Sequence, residues 1–453
     1  MDKSIKPKIN YQYDYTKCMM MKLPMAFPNS DKSGSVVVNN FEDALDIIKK
    51  VDAVTCGIKK IYYLVGWQYF GHDDKYPDFF EFNKALKRNS DNSAKDSFMW
   101  LYEEAKKYNS VVSVHINFND AYDNAPSFER FKYVKALIRK KDGTLHAIEK
   151  YNGRPCYKTS FKEYYESGLF KEMFDRLLTV LPLKDARTVH VDNFQCYHNY
   201  NPDITIAEMQ KYRHKMIDYV VSKGIDITSE FTYREDEKLP NKKLFGLPRE
   251  HNRHSPLDTL GEIPASWWCT RMTRQEYVDI PPSVYGGGIY KDGFYKNYLY
   301  STIHGEDIFT KHGKDTNWIN DFIYQFATVQ VPYHFLCGFE RQKIEGRLLN
   351  QRCLYNKNLI SYNKGRRITI DGHTIKDGDN LCLPLLSEPD TYIAFSKNGD
   401  KRIWHLLSGK YKKAEVFEVT ENGTALLDEV KITDNSIELS IKKNQLIKIV
   451  FKN

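Results

Sequence analysis

Two carboxylates close neighbouring apolar stretches of this chain. Asp192 ends Thr188-Val189-His190-Val191-Asp192, and Glu230 ends Ile225-Asp226-Ile227-Thr228-Ser229-Glu230. Two acids facing each other across one bond are what glycoside cleavage requires, one attacking or activating water while the other protonates the leaving oxygen. An aspartate at the end of a buried strand is costly unless it is hydrogen-bonded or functional. Helix capping is the ordinary alternative for Asp192, but the next helical pattern starts only around Pro202. Glu230 has competitors. Glu235 and Asp236 follow in a polar loop, and Asp226 shares its face parity and suits an interior ion pair.

Two earlier loops are rich in groups that suit a sugar, which offers flat C–H faces to aromatic rings and hydroxyls to carboxylates and imidazoles. The first runs from Gly66 to Asp78 and carries Trp67, His72, Asp73 and Asp74. The second brings His115, Asn117, Asp120 and Tyr122, with His115 and Asn117 two apart and therefore on one face of a strand. Trp267, within a later apolar run, completes the expected substrate-binding set. The bland alternatives are a solvated acidic loop and a satisfied core histidine. Metal chemistry is the rival use of His72, Asp73, His115 and Asp120 as an oxygen–nitrogen site. No two-histidine helical motif accompanies them, so the reading takes no metal and no cofactor.

These residues need a scaffold that brings strand ends together. Apolar strands alternate with amphipathic helices through about residue 340. Strands are expected at Lys17–Leu23, Lys60–Gly66 and Val111–Asn117, with Asp192 closing a fourth and Glu230 a fifth. Ala265–Cys269 is read as the sixth, Tyr298–His304 as the seventh and Val331–Leu336 as the eighth. Asn40 caps a helix carrying Phe41, Ala44, Leu45, Ile48 and Val51. Phe161 to Leu178 reads as one amphipathic helix, and Thr205 with Glu208 forms a capping box for a helix that stops at Gly224. The pattern predicts an α/β chain with a (β/α)8 TIM-type barrel, whose catalytic groups sit at the carboxyl ends of the strands. From roughly Gly365 the period becomes two, with turns at Asn398-Gly399 and Asn422-Gly423 and alternation at Ile437, Leu439 and Ile441. The expected division is therefore 1–364 for the catalytic barrel and 365–453 for a C-terminal antiparallel β-sandwich.

Composition bounds the partners. The 67 basic and 59 acidic residues leave a net charge of +8 with no basic block, which argues against nucleic acid. No apolar stretch reaches membrane-spanning length. The eight cysteines are scattered without a Cys-x-x-Cys pair, as buried free thiols would be. The expected location is cytoplasmic, or secreted where a signal peptide has been removed. Oligomeric state is left open.

The stretches Ile61–Asp78, Val112–Tyr122, Val189–Phe194 and Thr228–Phe231 resemble the catalytic barrel of glycoside hydrolase family 101, the endo-α-N-acetylgalactosaminidases, and of the related family 129. The resemblance spans about Lys17 to Leu336. It implies Asp192 as nucleophile and Glu230 as acid/base, matched by position and order. The family typically shows Asp-Val-Trp where this chain has Asp192-Asn193-Phe194. The expectation is a retaining α-glycosidase acting on an oligosaccharide or glycoconjugate with α-linked N-acetylgalactosamine or galactose. Exo action in a pocket walled by the long loops is preferred. The alternatives are endo release of a disaccharide, a hydrolase for another α-sugar, and a non-catalytic glycan-binding barrel.

Overall fold

The computed structural model describes residues 12–14, 17–192, 194–229, 303, 305–339, 341–345, 350, 352–385, 387–407 and 409–452. Five parallel strands form its central sheet: β1 (Met19–Pro24), β2 (Lys60–Val65), β3 (Ser110–Asn117), β4 (Thr188–Asp192) and β5 (Asp226–Ser229), in that spatial order. β1 and β2 are buried along their whole length, as continuous apolar runs covered on both faces must be. The register sets His115 opposite His190 and Asn117 opposite Asp192. On the other side of β4, Thr228 lies opposite His190.

Crossover helices cover the sheet. Helix α1 (Phe41–Val54) starts at Asn40, whose side chain accepts from the backbone of Glu42 and Asp43 while Asp43 returns a bond to the Asn40 N–H. That reciprocal cap satisfies donors the first turn would leave orphaned. Its buried face includes the expected Phe41, Ala44, Leu45, Ile48 and Val51. Helix α2 (Ala94–Lys106) connects β2 to β3. Before β4, the stretch read as one helix is two. Phe161–Glu166 and α3 (Leu169–Val180) are separated at Gly168, whose φ of 80° lies in the left-handed region that favours glycine. The apolar spacing persists across the break, which is why periodicity reads through it. Helix α4 (Ile206–Ser222) carries the Thr205–Glu208 capping box and leads into β5.

Five of the eight expected barrel strands appear as strands among the described residues. The sixth expected strand, Ala265–Cys269, lies outside them, as does all of Tyr298–His304 except Ile303. The eighth is corrected: Val331–Cys337 is an α-helix, continuing Trp318–Gln325 through a π-helical turn at Phe326–Gln330. A short apolar run cannot by itself be told from a buried helix. Pro332 sits in the first turn of Val331–Cys337, where a missing N–H costs least, and the wider turn precedes it.

The large antiparallel sheet of the C-terminal part begins at Arg341, ahead of the point where alternation becomes legible near Gly365. Arg341–Glu345, Arg352–Tyr355 and Leu359–Tyr362 join the seven later strands of a ten-stranded sheet. These three are short, and a bulge interrupts the first pairing, so a period of two has little length in which to show. Asn398-Gly399 does not close a hairpin. It links Thr391–Ser396 in the large sheet to Asp400–His405, which pairs instead with Ser436–Ile441 as a separate two-stranded sheet. Trp404, Ile437, Leu439 and Ile441 of that pair pack with Ala394, Val416, Ile447 and Ile449 of the large sheet. A larger core runs from the parallel sheet through Phe322 and Phe326 to Ile393, Phe395 and Leu446. All six described cysteines whose side chains are placed are free thiols. Among the described residues, no helix is long and apolar enough to cross a membrane.

Candidate active site

The loop after β2 is shaped by glycine. Gly66 has φ of 77°, and a Cβ there would stand 2.0 Å from the Ala26 carbonyl oxygen and 2.8 Å from the His72 nitrogen. Only a residue without a side chain lets the backbone pass this close. The loop then folds back so that the His72 N–H donates to Ala26 O at 2.9 Å, which sets the imidazole over the carboxyl ends of β3 and β4.

Three of the expected residues converge there. His72 Nε2 lies 3.9 Å from Asp192 Oδ2, and His115 Nε2 lies 3.6 Å from Asp192 Oδ1. The two imidazoles are 5.3 Å apart between ring centres. Asp73 stands behind His72, with Oδ2 at 3.1 Å from Nδ1. Burial alone would lower the pKa of His72, but Asp73 and then Asp192 outweigh it and raise the imidazole to about 9. His72 is therefore a fixed cation at neutral pH. Burial raises the Asp73 carboxyl, yet His72 holds it below its ordinary range. The Asp192 side chain remains 15% exposed, whereas His115 is wholly buried.

Donor atoms of His72, His115 and Asp192 all lie within 4.8 Å of one another, a spacing that could also hold a cation. Such an ion would compete with the proton that Asp73 and Asp192 hold on His72.

Other expected residues support these three. Asn117 is buried: Nδ2 donates to Asp120 Oδ2 at 2.9 Å, and Oδ1 accepts from the N–H groups of Asn119 and Asp120, both at 2.7 Å. Asp120 is also buried. Its Oδ1 lies 2.6 Å from Lys158 Nζ, and its pKa is raised to about 6 because burial, Asp73 and Asp192 outweigh Lys158. Tyr122 packs against Tyr76, and burial pushes its phenol pKa up, with Asp73 and Asp120 adding to the effect.

Two assignments are corrected. Trp67 is wholly buried in the core, packed on Phe79, Phe82 and Phe98 with its Nε1 donating to His115 O at 3.2 Å. It props the strand that carries His115 and offers no face to a sugar. Asp74 is buried as a loop clamp, accepting from Asn124 Nδ2 at 2.8 Å and from the Phe70 N–H at 3.3 Å. Adjacent in sequence, Asp73 and Asp74 point to different tasks because Asp73 takes φ of 60°. Glu230 and Trp267 lie outside the described residues.

Sequence reasoning missed His190 and Lys158. His190 stacks on His115 with ring centres 5.3 Å apart, and its Nδ1 lies 2.9 Å from Thr228 Oγ1. Its signal was present, since it stands two residues before Asp192 on the same strand face. Lys158 gave none, because its partner Asp120 is 38 positions away in the chain.

Comparisons with known proteins bear on this arrangement. Residues 9–242 match the family model for glycoside hydrolase family 101, described as endo-alpha-N-acetylgalactosaminidase. Among solved structures, the ligand-free alpha-N-acetylgalactosaminidase of Bifidobacterium bifidum is 14% identical with a TM-score of 0.50, covering 78% of this chain and 58% of that one. At that identity the likeness concerns the fold alone, and this chain spans 58% of the other's length. An alpha-amylase from Geobacillus thermoleovorans is 10% identical with a TM-score of 0.44, covering 98% of this chain and 100% of its own.

Proposed function

The chain belongs to glycoside hydrolase family 101, and on that premise we propose that it is a retaining, exo-acting α-glycosidase for α-linked N-acetylgalactosamine or galactose. Asp192 is the nucleophile and Glu230 the acid/base. The single observation that carries the reading is Asp192 itself. It is a partly exposed carboxylate at the carboxyl end of β4, flanked by the cationic His72 and by His115. The parallel sheet is proposed as part of a closed (β/α)8 barrel. The C-terminal sheets would form a β-sandwich, with the division between units falling between residues 340 and 365.

In the first step an Asp192 oxygen bonds to the anomeric carbon while the glycosidic C–O bond breaks, and Glu230 gives its proton to the leaving oxygen. In the second, Glu230 takes a proton from water, the water oxygen bonds to the anomeric carbon, and Asp192 leaves as a carboxylate. The His72 cation favours the ionised form of Asp192 in both resting states. Its Nε2–H is also placed to donate to a sugar hydroxyl. A panel of 4-nitrophenyl α-glycosides tests the reading. Release of nitrophenol from the N-acetylgalactosaminide or galactoside with an α-sugar as first product is expected. A first product of the β-form would overturn retention, and no release from any member would overturn exo-glycosidase action.

The description of the matched family favours a second reading, endo action. Incubation with a galactosyl-β-1,3-N-acetylgalactosaminide decides between them, because release of the intact disaccharide requires a second sugar subsite that a closed pocket lacks.

A further inference from the structure

Lys158 is a buried cation paired with Asp120, beside the candidate site, and nothing in the proposed chemistry uses it. It ends the strand Arg154–Lys158, which pairs on one side with Asp120–Ala121 and on the other with Ala147–Tyr151. Its side chain is wholly buried, with Nζ 2.6 Å from Asp120 Oδ1 and 2.6 Å from Glu149 Oε2. The rings of Tyr151 and Tyr197 each lie 5.6 Å from the ammonium. A lysine taken wholly out of water persists only when paired, and here two carboxylates and two ring faces surround it.

We propose that Lys158 is a positioning residue for the glycosidase reaction. Its ammonium holds Asp120 as a carboxylate, and that carboxylate fixes Asn117, the residue opposite Asp192 in the β3–β4 pairing. The inference rests on the reading of Asp192 as the catalytic carboxylate. The geometry runs without a gap. Lys158 holds Asp120 Oδ1, Asp120 Oδ2 accepts from Asn117 Nδ2, and Asn117 Oδ1 gathers the two N–H groups of the turn that follows β3. Asn117 and Asp192 are register partners. The groups facing Asp120 are Lys158 and Cys156 from its neighbouring strand, Tyr151 from the strand beyond, Asp73 and Tyr76 from the loop after β2, Asp192 from β4, and Tyr122. Lys158 is the cation among them, so without it Asp120 takes up a proton and meets Asn117 with one acceptor fewer. The same ammonium ties Glu149, on the adjoining strand, to this corner of the site.

The experiment has two independent arms. Carbon-detected NMR follows the Asp120 carboxyl in the wild type and in Lys158→Met, and its midpoint should rise by at least about one pH unit once the cation is gone. Steady-state kinetics on 4-nitrophenyl α-N-acetylgalactosaminide should show kcat falling on the order of 10²-fold, with KM changing far less, as for a misplacement remote from the chemistry. Lys158→Arg should recover part of the loss. The double variant Lys158→Met/Asp120→Asn should be no slower than Asp120→Asn, since the two groups act as one unit. An unmoved Asp120 midpoint, or losses that multiply in the double variant, would overturn the proposal. If Lys158→Met does not fold, the double variant and Asp120→Asn still give that comparison. A moved midpoint in an enzyme silent on every α-glycoside would instead overturn the glycosidase reading and leave the hold of Lys158 on Asp120 standing.

Discussion

Replacing His72 with glutamine removes a charge whose worth can be worked from the site. The imidazole is raised from its ordinary 6.5 to about 9 by Asp73 and Asp192 against the opposing effect of burial. At about 1.4 kcal/mol per pH unit, that difference amounts to about 3 kcal/mol of native-state stabilisation. It is an upper figure, because the side chain is 20% exposed to solvent screening. The sign follows from linkage. Between the two pKa values the folded chain keeps a proton that the unfolded chain has lost, so stability falls as pH rises. The contribution is whole below about 6.5 and gone above about 9. Asp73 acts in the opposite sense: its carboxyl is held low, so its share is present above its ordinary 3.8 and is lost on acidification. Urea unfolding of the wild type and of His72→Gln at intervals from pH 5.5 to 9.5 reads the difference directly. The wild type should be the more stable by up to about 3 kcal/mol near pH 6, with the gap closing toward pH 9. A gap that stays constant with pH, or a His72 imidazole that titrates near 6.5 by NMR, would refute the reasoning.

Three further outcomes are expected. Asp192→Asn should lower kcat by at least about 10³-fold while circular dichroism and the melting temperature stay near wild type. Glu230→Gln should spare substrates with good leaving groups and be rescued by azide to the α-glycosyl azide, because azide displaces Asp192 from the β-linked intermediate, whereas full activity on a natural glycan would transfer the role to Glu235 or Asp236. Trp67→Ala should destabilise the fold by about 3–5 kcal/mol, as removal of a buried aromatic does, and Trp67→Phe should leave KM unchanged; a KM rise in a stable Trp67→Phe enzyme would return this residue to the sugar site.

Legible in the sequence were the strand that carries Asp192, helix α4 after it and the polar loops that converge on it. These are local matters. A buried strand shows as an unbroken apolar run, α1 and α4 begin at capping boxes, and a histidine or aspartate at a strand end shares face parity with its neighbours. Family membership was legible for the same reason, since its motifs sit on those strand ends. Tertiary packing chose which polar residues gather at the candidate site and which bond to one another elsewhere. Trp67, His72, Asp73 and Asp74 stand in one loop, yet a glycine turn at Gly66 and a left-handed Asp73 send Trp67 into the core, Asp74 to Asn124, and His72 with Asp73 to the site. Lys158 reached Asp120 only through strand pairing across 38 positions. Val331–Cys337 became a helix because its neighbours are helical and bury it. Six apolar residues state only that a segment is inside; the packing around them decides which hydrogen-bonded form it takes there.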